Sequence, residues 1–301
     1  MNDELANHFL SSKKTWNTKT ETEYIWFDQP YHLYLEHEQA MAYIEMIEKD
    51  NFAHSLHDPI VNLIKEQVNN ILPNSLIKLE FYDLGPGLPK KSIPIIEGAN
   101  KRKIPLKYIP VDISKSFLEI TANEMKKYGI VSNSINCLFE ELPEHILPKN
   151  DYDITRIFQI GLTFNNYRPN YILSLLNKLM QVNDFSIIIT EFYSKDKLES
   201  ILTPYKDTYA EKFNWLALNL LGFKKQDFKY ETKYRNQRIE MGFRPCKVIK
   251  FKHLELTPKN LIVTAISYRY TEYGLTRNIQ THFKHFEMLQ KGNLAIYIIK
   301  N

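Results

Sequence analysis

One glycine-rich turn and one later acid set the first chemical question. Asp83-Leu84-Gly85-Pro86-Gly87 closes the apolar run Leu76 to Leu84, and a second carboxylate, Asp112, follows 27 residues after Gly85. In an open α/β sheet, a glycine turn at the carboxyl end of a strand lets backbone approach a nucleotide-like ligand, and an acid ending the next strand can accept both hydroxyls of a ribose. A dinucleotide fingerprint needs a third glycine three residues after Gly87. Lys90 stands there instead, and the Pro89-Lys90-Lys91 run occupies the place of a helix start that would cradle a diphosphate. The two motifs are therefore compatible with S-adenosylmethionine, a mononucleoside with a sulfonium in place of phosphates.

Other reactive constellations do not assemble. No Ser-His-Asp or Cys-His set has suggestive spacing. His282 and His285 stand three apart on an expected last helix, but no nearby Cys or acid cluster completes a site, so no metal is expected. Two cysteines, Cys137 and Cys246, cannot supply a disulfide framework or a four-thiolate zinc site; Cys137 reads as a small core residue on its strand. Such low usage suits a reducing compartment, and the cytoplasm is the working assumption. The basic stretch Lys224-Lys225 to Lys233, with Phe228 and Tyr230 interleaved, reads as a solvated edge rather than an RNA surface.

The elements that must carry these residues alternate. Leu76 to Leu84 reads as a buried strand, Leu106 to Ile113 as a second, Ser134 to Phe139 as a short third, Asp153 to Gly161 as a fourth and Phe185 to Phe192 as a fifth. Between them, Ser114 and the Ser116-x-x-Glu119 capping box open a helix that places Phe117, Leu118, Thr121, Ala122 and Met125 on one face, and Tyr171 to Met180 is helical. That alternation is the pattern of an open, doubly wound parallel sheet. From Lys195 to Gly222 the pattern is helical. Ile239 to Arg244, Lys247 to Leu256 and Asn260 to Thr271 then alternate as antiparallel strands with one face exposed. A final helix over Asn278 to Leu289 leads to Leu294 to Ile299, which would most economically return to the parallel sheet.

Length and composition agree with two globular parts. The chain has 301 residues, 44% hydrophobic and 25% charged, with a formal net charge of +4, so neither disorder nor a nucleic-acid partner is indicated. The acidic N-terminus lacks a following apolar region, and no run reaches the ~20 residues that span a bilayer, so neither a secretory signal nor a membrane partner is expected. The expected division is a class I (Rossmann-like) α/β sheet domain over 55–192 plus 275–301, and a second, α+β subdomain over 1–54 plus 193–274.

Five segments, in order, carry a resemblance. They are Tyr82-Asp-Leu-Gly-Pro-Gly87 with Lys91, Tyr108-Ile-Pro-Val-Asp-Ile-Ser114, Ile160-Gly-Leu-Thr-Phe-Asn-Asn166, Gln237-Arg-Ile-Glu-Met241 and Thr264-Ala-Ile-Ser-Tyr-Arg-Tyr270. Together they resemble the motifs of the histidine-specific, S-adenosylmethionine-dependent methyltransferase family, from about Tyr31 onward. Its best-known members trimethylate the α-amino group of histidine in the first step of ergothioneine synthesis. The resemblance implies a methyltransferase domain and a substrate-binding subdomain, with S-adenosylmethionine as cofactor. It implies cofactor contacts at Asp83, Gly85, Gly87, Lys91 and Asp112, and at an Asp-Phe pair whose place is taken by Leu138-Phe139. The Asp missing at Leu138 would accept from the adenine amino group, although backbone can replace it.

For the substrate, the resemblance implies Asn166, Tyr205 ahead of Phe213-Asn214, Met241, Ser267 and Tyr34, with Tyr31 as an alternative to Tyr34. The Glu that binds the imidazole in the histidine enzymes falls on Ala265. A carboxylate paired with an imidazole contributes roughly 1.5–3 kcal/mol, so its loss lowers the preference for histidine and leaves room for a bulkier, aromatic side chain. The expected reaction is N-methylation of the α-amino group of an amino-acid-like small molecule. Asn166 and Tyr205 would orient the amino and carboxylate groups, and a tyrosine hydroxyl or water would take the proton. The rival class is a methyltransferase-fold protein without catalysis, acting as a binding or partner subunit, which the replacement of two acids by Leu138 and Ala265 motivates. Each residue also has a structural role open to it: Gly85 and Gly87 a tight turn, Asp112 a cap on the Ser114 helix, Asn166 plain turn chemistry, and Met241 and Ala265 core packing. The sequence leaves the oligomeric state open.

Overall fold

A computed structural model of the chain describes residues 3–26, 30–34, 36–49, 53–72, 74–75, 77–148 and 153–300. Its strands are β1 (Lys13–Asn17), β2 (Thr22–Trp26), β3 (Lys78–Leu84), β4 (Leu106–Asp112), β5 (Ile135–Asn136), β6 (Ile154–Ile160), β7 (Phe185–Glu191), β8 (Phe228–Arg235), β9 (Arg238–Pro245), β10 (Ile249–Phe251), β11 (Leu254–Leu256), β12 (Asn260–Tyr268), β13 (His285–Lys291) and β14 (Leu294–Lys300). The chain divides into two compact units, Met1–Phe52 with Lys195–Tyr268, and Ala53–Ser194 with Arg269–Asn301.

The second of these units holds a seven-stranded sheet in the order β13-β14-β7-β6-β3-β4-β5. Strands β3 to β7 are mutually parallel, whereas β14 runs antiparallel to β7 and β13 antiparallel to β14. This is a class I methyltransferase-like α/β sheet. Every residue of β7 is buried, as a strand covered on both faces requires. The helix Lys115–Lys126 buries Phe117, Leu118, Thr121 and Met125, and its N-cap is Ser114, whose side chain accepts from Phe117 N. Thr121 Oγ1 donates to Gly87 O at 3.2 Å, so this helix also fixes the glycine turn.

The first unit contains a five-stranded sheet, β1-β2-β12-β9-β8. One face packs on the helices Asp3–Leu10 and Thr208–Leu220, joining Phe9, Ile25, Trp215, Leu218, Phe243 and Ile262 in one core. The other face carries Tyr24, Trp26, Leu261 and Val263. There the Arg235 guanidinium lies 3.7 Å from the centroid of the Tyr24 ring and that of Arg238 4.4 Å from Trp26, while both arginines pair with Glu240.

Several expectations are corrected. Lys247 to Leu256 is a hairpin of two short strands, β10 and β11, because Lys252 takes φ of 51° between them. The last helix is Glu272–His282, and His285 to Leu289 belongs to β13, so His282 and His285 do not share a helix face. Leu294 to Ile299 does return to the large sheet, as expected, and runs antiparallel to β7. The third strand shrinks to Ile135–Asn136. The β1–β2 hairpin and β8 add to the elements that the sequence predicts.

Candidate functional site

At the carboxyl end of β3 the backbone turns through Gly85 and Gly87, with φ of 64° and 57°. These left-handed values favour glycine. A Cβ on Gly85 would also stand 2.8 Å from Thr163 Oγ1, the hydroxyl that donates to Gly85 O at 3.1 Å. Beneath the turn, Asp83 is enclosed. Its carboxylate accepts from Ser92 Oγ, from Tyr108 OH at 2.7 Å and from Gln159 Nε2 at 3.3 Å. Burial raises its pKa, with these donors and Lys91 opposing. The protein supplies these donors, so Asp83, expected among the cofactor contacts, is placed to hold the turn.

Lys91 ends the 3₁₀ turn Pro89–Lys91 and is only 6% exposed, whereas Lys90 is exposed. Its stem lies against Gly161 at the end of β6, where a Cβ would come within 2.7 Å of Lys91 Cε. Burial lowers the Lys91 pKa, with Asp83 opposing.

Asp112 ends β4, buried, and Oδ1 accepts from Ser114 N at 2.9 Å. Burial pushes its pKa up to about 7, against the pull of that backbone bond. Ile113 contributes a second backbone bond, and a vicinal diol would supply two more donors to this carboxylate. Beside it, Asn136 Nδ2 on β5 donates to Asp112 O at 2.9 Å and Ile113 O at 2.7 Å. The turn after β5 carries half-buried Leu138, whose N–H donates to Glu141 Oε2 at 2.9 Å, and buried Phe139, whose ring centroid lies 5.8 Å from that of Tyr167. Asn166 closes the 3₁₀ turn Leu162–Asn166 and is half-buried. Its neighbour Asn165 is buried and accepts from Thr190 Oγ1 at 2.9 Å. Thus Asn166 belongs to the same unit as Gly85, Lys91, Asp112 and Phe139.

The other expected substrate residues lie in the first unit. Met241 and Ala265 are direct partners across the β9–β12 ladder, with Ser267 opposite Ile239. A bulge between Val263 and Ala265 shifts the phase, so Ala265 and Ser267 fall on the Met241 face. The helix Thr208–Leu220 covers this face: Asn214, fully buried, bonds Met241 Sδ at 3.8 Å through Nδ2 and accepts from Thr264 Oγ1 at 3.0 Å. Tyr205 is buried, and its carbonyl accepts from Tyr230 OH at 2.9 Å and Thr232 Oγ1 at 3.0 Å, Thr232 being the partner of Met241 on β8. Half-buried Tyr34 packs its ring 5.8 Å from Phe213 and 5.9 Å from Tyr43. The side chain of Tyr31 lies outside the described residues. Sequence reasoning missed His32, which is completely buried with Nε2 2.9 Å from Thr264 O. Nothing local in the sequence marks a contact across 232 residues.

A family model described as the histidine-specific, S-adenosylmethionine-dependent methyltransferase matches residues 60–291. The chain belongs to this family. It is accordingly an S-adenosylmethionine-dependent methyltransferase, and the glycine turn, Lys91 and the buried Asp112 suit a nucleoside carrying a free ribose diol. Nothing among curated proteins matches the chain. Among solved structures, it is similar to an S-adenosylmethionine-dependent methyltransferase from Leishmania major, with 9% identity, 87% of this chain and 82% of that chain covered and a TM-score of 0.47. It is also similar to one from Clostridium acetobutylicum, with 12% identity, coverage of 80% and 89% and a TM-score of 0.41. Among the described residues of this methyltransferase, no group of three His, Cys, Asp or Glu could hold a metal, and no helix is long and apolar enough to cross a membrane.

Proposed function

We propose that this methyltransferase N-methylates the α-amino group of an amino acid, or a close derivative, whose side chain is neutral and aromatic rather than histidine. The carrying observation is the pairing of Ala265 with Met241, whose neighbours on that face of β8, β9 and β12, Thr232, Ile239 and Ser267, carry no acid. Among the described residues of the first unit, Glu240 is the only buried carboxylate; it alternates onto the opposite face and is neutralised by Arg235 and Arg238. An imidazolium would meet no counter-charge from Ala265, Met241 or Ser267, whereas a neutral ring meets a methyl, a thioether and a hydroxyl.

In this reading Asp112 takes the ribose hydroxyls, Gly85 and Gly87 allow close backbone approach, and Lys91 and Phe139 complete the cofactor contacts. Bound S-adenosylmethionine supplies an electrophilic methyl on a sulfonium, open to in-line attack by a neutral amine. Asn166 and Tyr205 orient the amino and carboxylate groups of the acceptor. Tyr34, Met241, Ala265 and Ser267 shape the side-chain pocket, and a tyrosine hydroxyl or water receives the amine proton. Positioning and exclusion of water carry the catalysis, so no covalent intermediate is required.

The test is a mass-spectrometric methylation screen of the common amino acids with purified protein and S-adenosylmethionine. Methyl groups on the α-nitrogen of an aromatic amino acid support the proposal. Preferred formation of methylhistidine, or methylation at oxygen, overturns it.

A further inference from the structure

Resting on the reading that Tyr34 and Met241 shape the acceptor pocket, we propose that His32 is a positioning residue, pinning the Tyr34 segment to the bulge of β12 so that one hydrogen-bonded chain sets both walls of the pocket. The 3₁₀ turn Pro30–Leu33 carries His32 and ends immediately before Tyr34. His32 is completely buried, with Nε2 2.9 Å from Thr264 O. A carbonyl oxygen only accepts, so Nε2 carries the proton and donates. The His32 carbonyl is held as well, accepting from Gln39 Nε2 at 2.8 Å, and Gln39 Oε1 accepts from Glu36 N at 3.0 Å. Bonds at His32 and at Glu36 thus bracket Tyr34 in the chain.

The other end of this arrangement is the pocket face itself. Thr264 has no partner in the β9–β12 register, and His32 supplies a donor to its carbonyl. The Thr264 side chain carries the path onward: Oγ1 donates to Asn214 Oδ1 at 3.0 Å, and Asn214 Nδ2 reaches Met241 Sδ at 3.8 Å and Ala210 O at 2.9 Å. One residue before Asn214, the Phe213 ring packs 5.8 Å from that of Tyr34. A single path therefore joins the main chain beside Tyr34 to the thioether of Met241, and all of it lies within the first unit. Breaking it at His32 leaves the Thr264 carbonyl without this donor and frees the Tyr34 ring from the face it helps to enclose.

Calorimetric titration of L-phenylalanine, L-tyrosine and L-tryptophan into protein saturated with S-adenosylhomocysteine tests this. His32→Leu should weaken the best-bound of the three about tenfold, the worth of one net hydrogen bond. His32→Gln, whose Nε2 can still donate, should retain most of the affinity. Binding of S-adenosylhomocysteine should not change, because Gly85, Lys91 and Asp112 lie in the other unit. The deciding readout is the dependence on Tyr34: if His32 acts through that ring, His32→Leu in a Tyr34→Ala background should cost less than about twofold more. Gln39→Met loosens the same segment from its other bond and should show the same dependence, which keeps the assignment testable if His32→Leu folds poorly. Wild-type acceptor affinity in His32→Leu, an additive loss in the Tyr34→Ala background for either variant, or a parallel loss of S-adenosylhomocysteine affinity overturns the assignment. Tyr34→Ala alone tests the underlying reading. If it leaves acceptor affinity unchanged, or if none of the three amino acids binds the wild type, the pocket itself is misplaced and the assignment of His32 falls with it.

Discussion

Met241 lies directly opposite Ala265 because β12 carries one extra residue, Thr264, between Val263 and Ala265. Thr264 is not idle in the bulge. Its hydroxyl bonds Asn214 Oδ1 at 3.0 Å and lies 3.3 Å from Met241 O, while its carbonyl is 2.9 Å from His32 Nε2. Three elements distant in sequence therefore hold the phase shift that turns Ala265 and Ser267 to one face. Strict alternation would have sent both to the Arg235 and Glu240 side.

Restoring an acid at this position should redirect specificity. In Ala265→Glu the ratio of kcat/KM for histidine over a neutral aromatic amino acid should rise by about 10- to 100-fold, the worth of a charge-assisted hydrogen bond to imidazole. Competition assays with paired substrates read this ratio directly. An unchanged ratio would mean that the β12 face does not line the acceptor pocket.

The glycine turn allows a test that separates two causes. Gly85→Ala puts a side chain at φ of 64° and 2.8 Å from Thr163 Oγ1. The left-handed backbone costs roughly 1–2 kcal/mol and the overpacking roughly 1–3 kcal/mol. Adding Thr163→Ala should recover the packing part and leave the backbone part. Chemical denaturation of the single and double variants measures both, and full recovery would show that φ is not a constraint.

Much of the large-sheet unit was legible because its information is local. The buried runs at β3, β4, β6 and β7 and the Ser114 cap each read from a few adjacent residues, and the glycine turn announced the ligand end of β3. The first unit was less legible because its decisive contacts are remote. His32 meets Thr264 across 232 residues, and no short window reveals the bulge. The charged, mostly half-buried pattern of β8 hid a strand, since an edge strand with few fully buried residues looks like a charged loop. The continuous pattern from Lys247 to Leu256 concealed the reversal at Lys252, which lacks the usual glycine.

Lys91 should trade stability against function. Its ammonium is buried, and desolvation is the largest influence on its pKa. Lys91→Met keeps the stem that lies over Gly161 and removes the desolvated charge. The unliganded variant should melt no lower than wild type, while its affinity for S-adenosylhomocysteine falls about tenfold through loss of a charged donor. Thermal unfolding with and without ligand reads both quantities. A lower melting point without ligand, at undiminished affinity, would assign Lys91 a purely structural part.

Asp112 makes the pH dependence predictable in sign. Its pKa is about 7 in the folded protein, raised by burial from 3.8. Between these values the folded state holds a proton that the unfolded state has lost, so this group favours folding fully below about pH 4, and that contribution disappears as pH rises through about 7. Asp112→Asn removes the ionisation. At about pH 8 the unliganded variant should be more stable than wild type by an amount on the order of 2–4 kcal/mol, with the difference vanishing near pH 4. Ligand affinity runs the other way, because ribose hydroxyls donate to the ionised form. Wild-type affinity for S-adenosylhomocysteine should climb from about pH 6 to 8 and then level, and the Asp112→Asn profile should be flat and weaker throughout the upper range. Calorimetry across that range, paired with denaturation of the unliganded protein, would show the carboxylate destabilising the empty site and strengthening the filled one. A wild-type affinity profile as flat as that of the variant would remove Asp112 from the cofactor site.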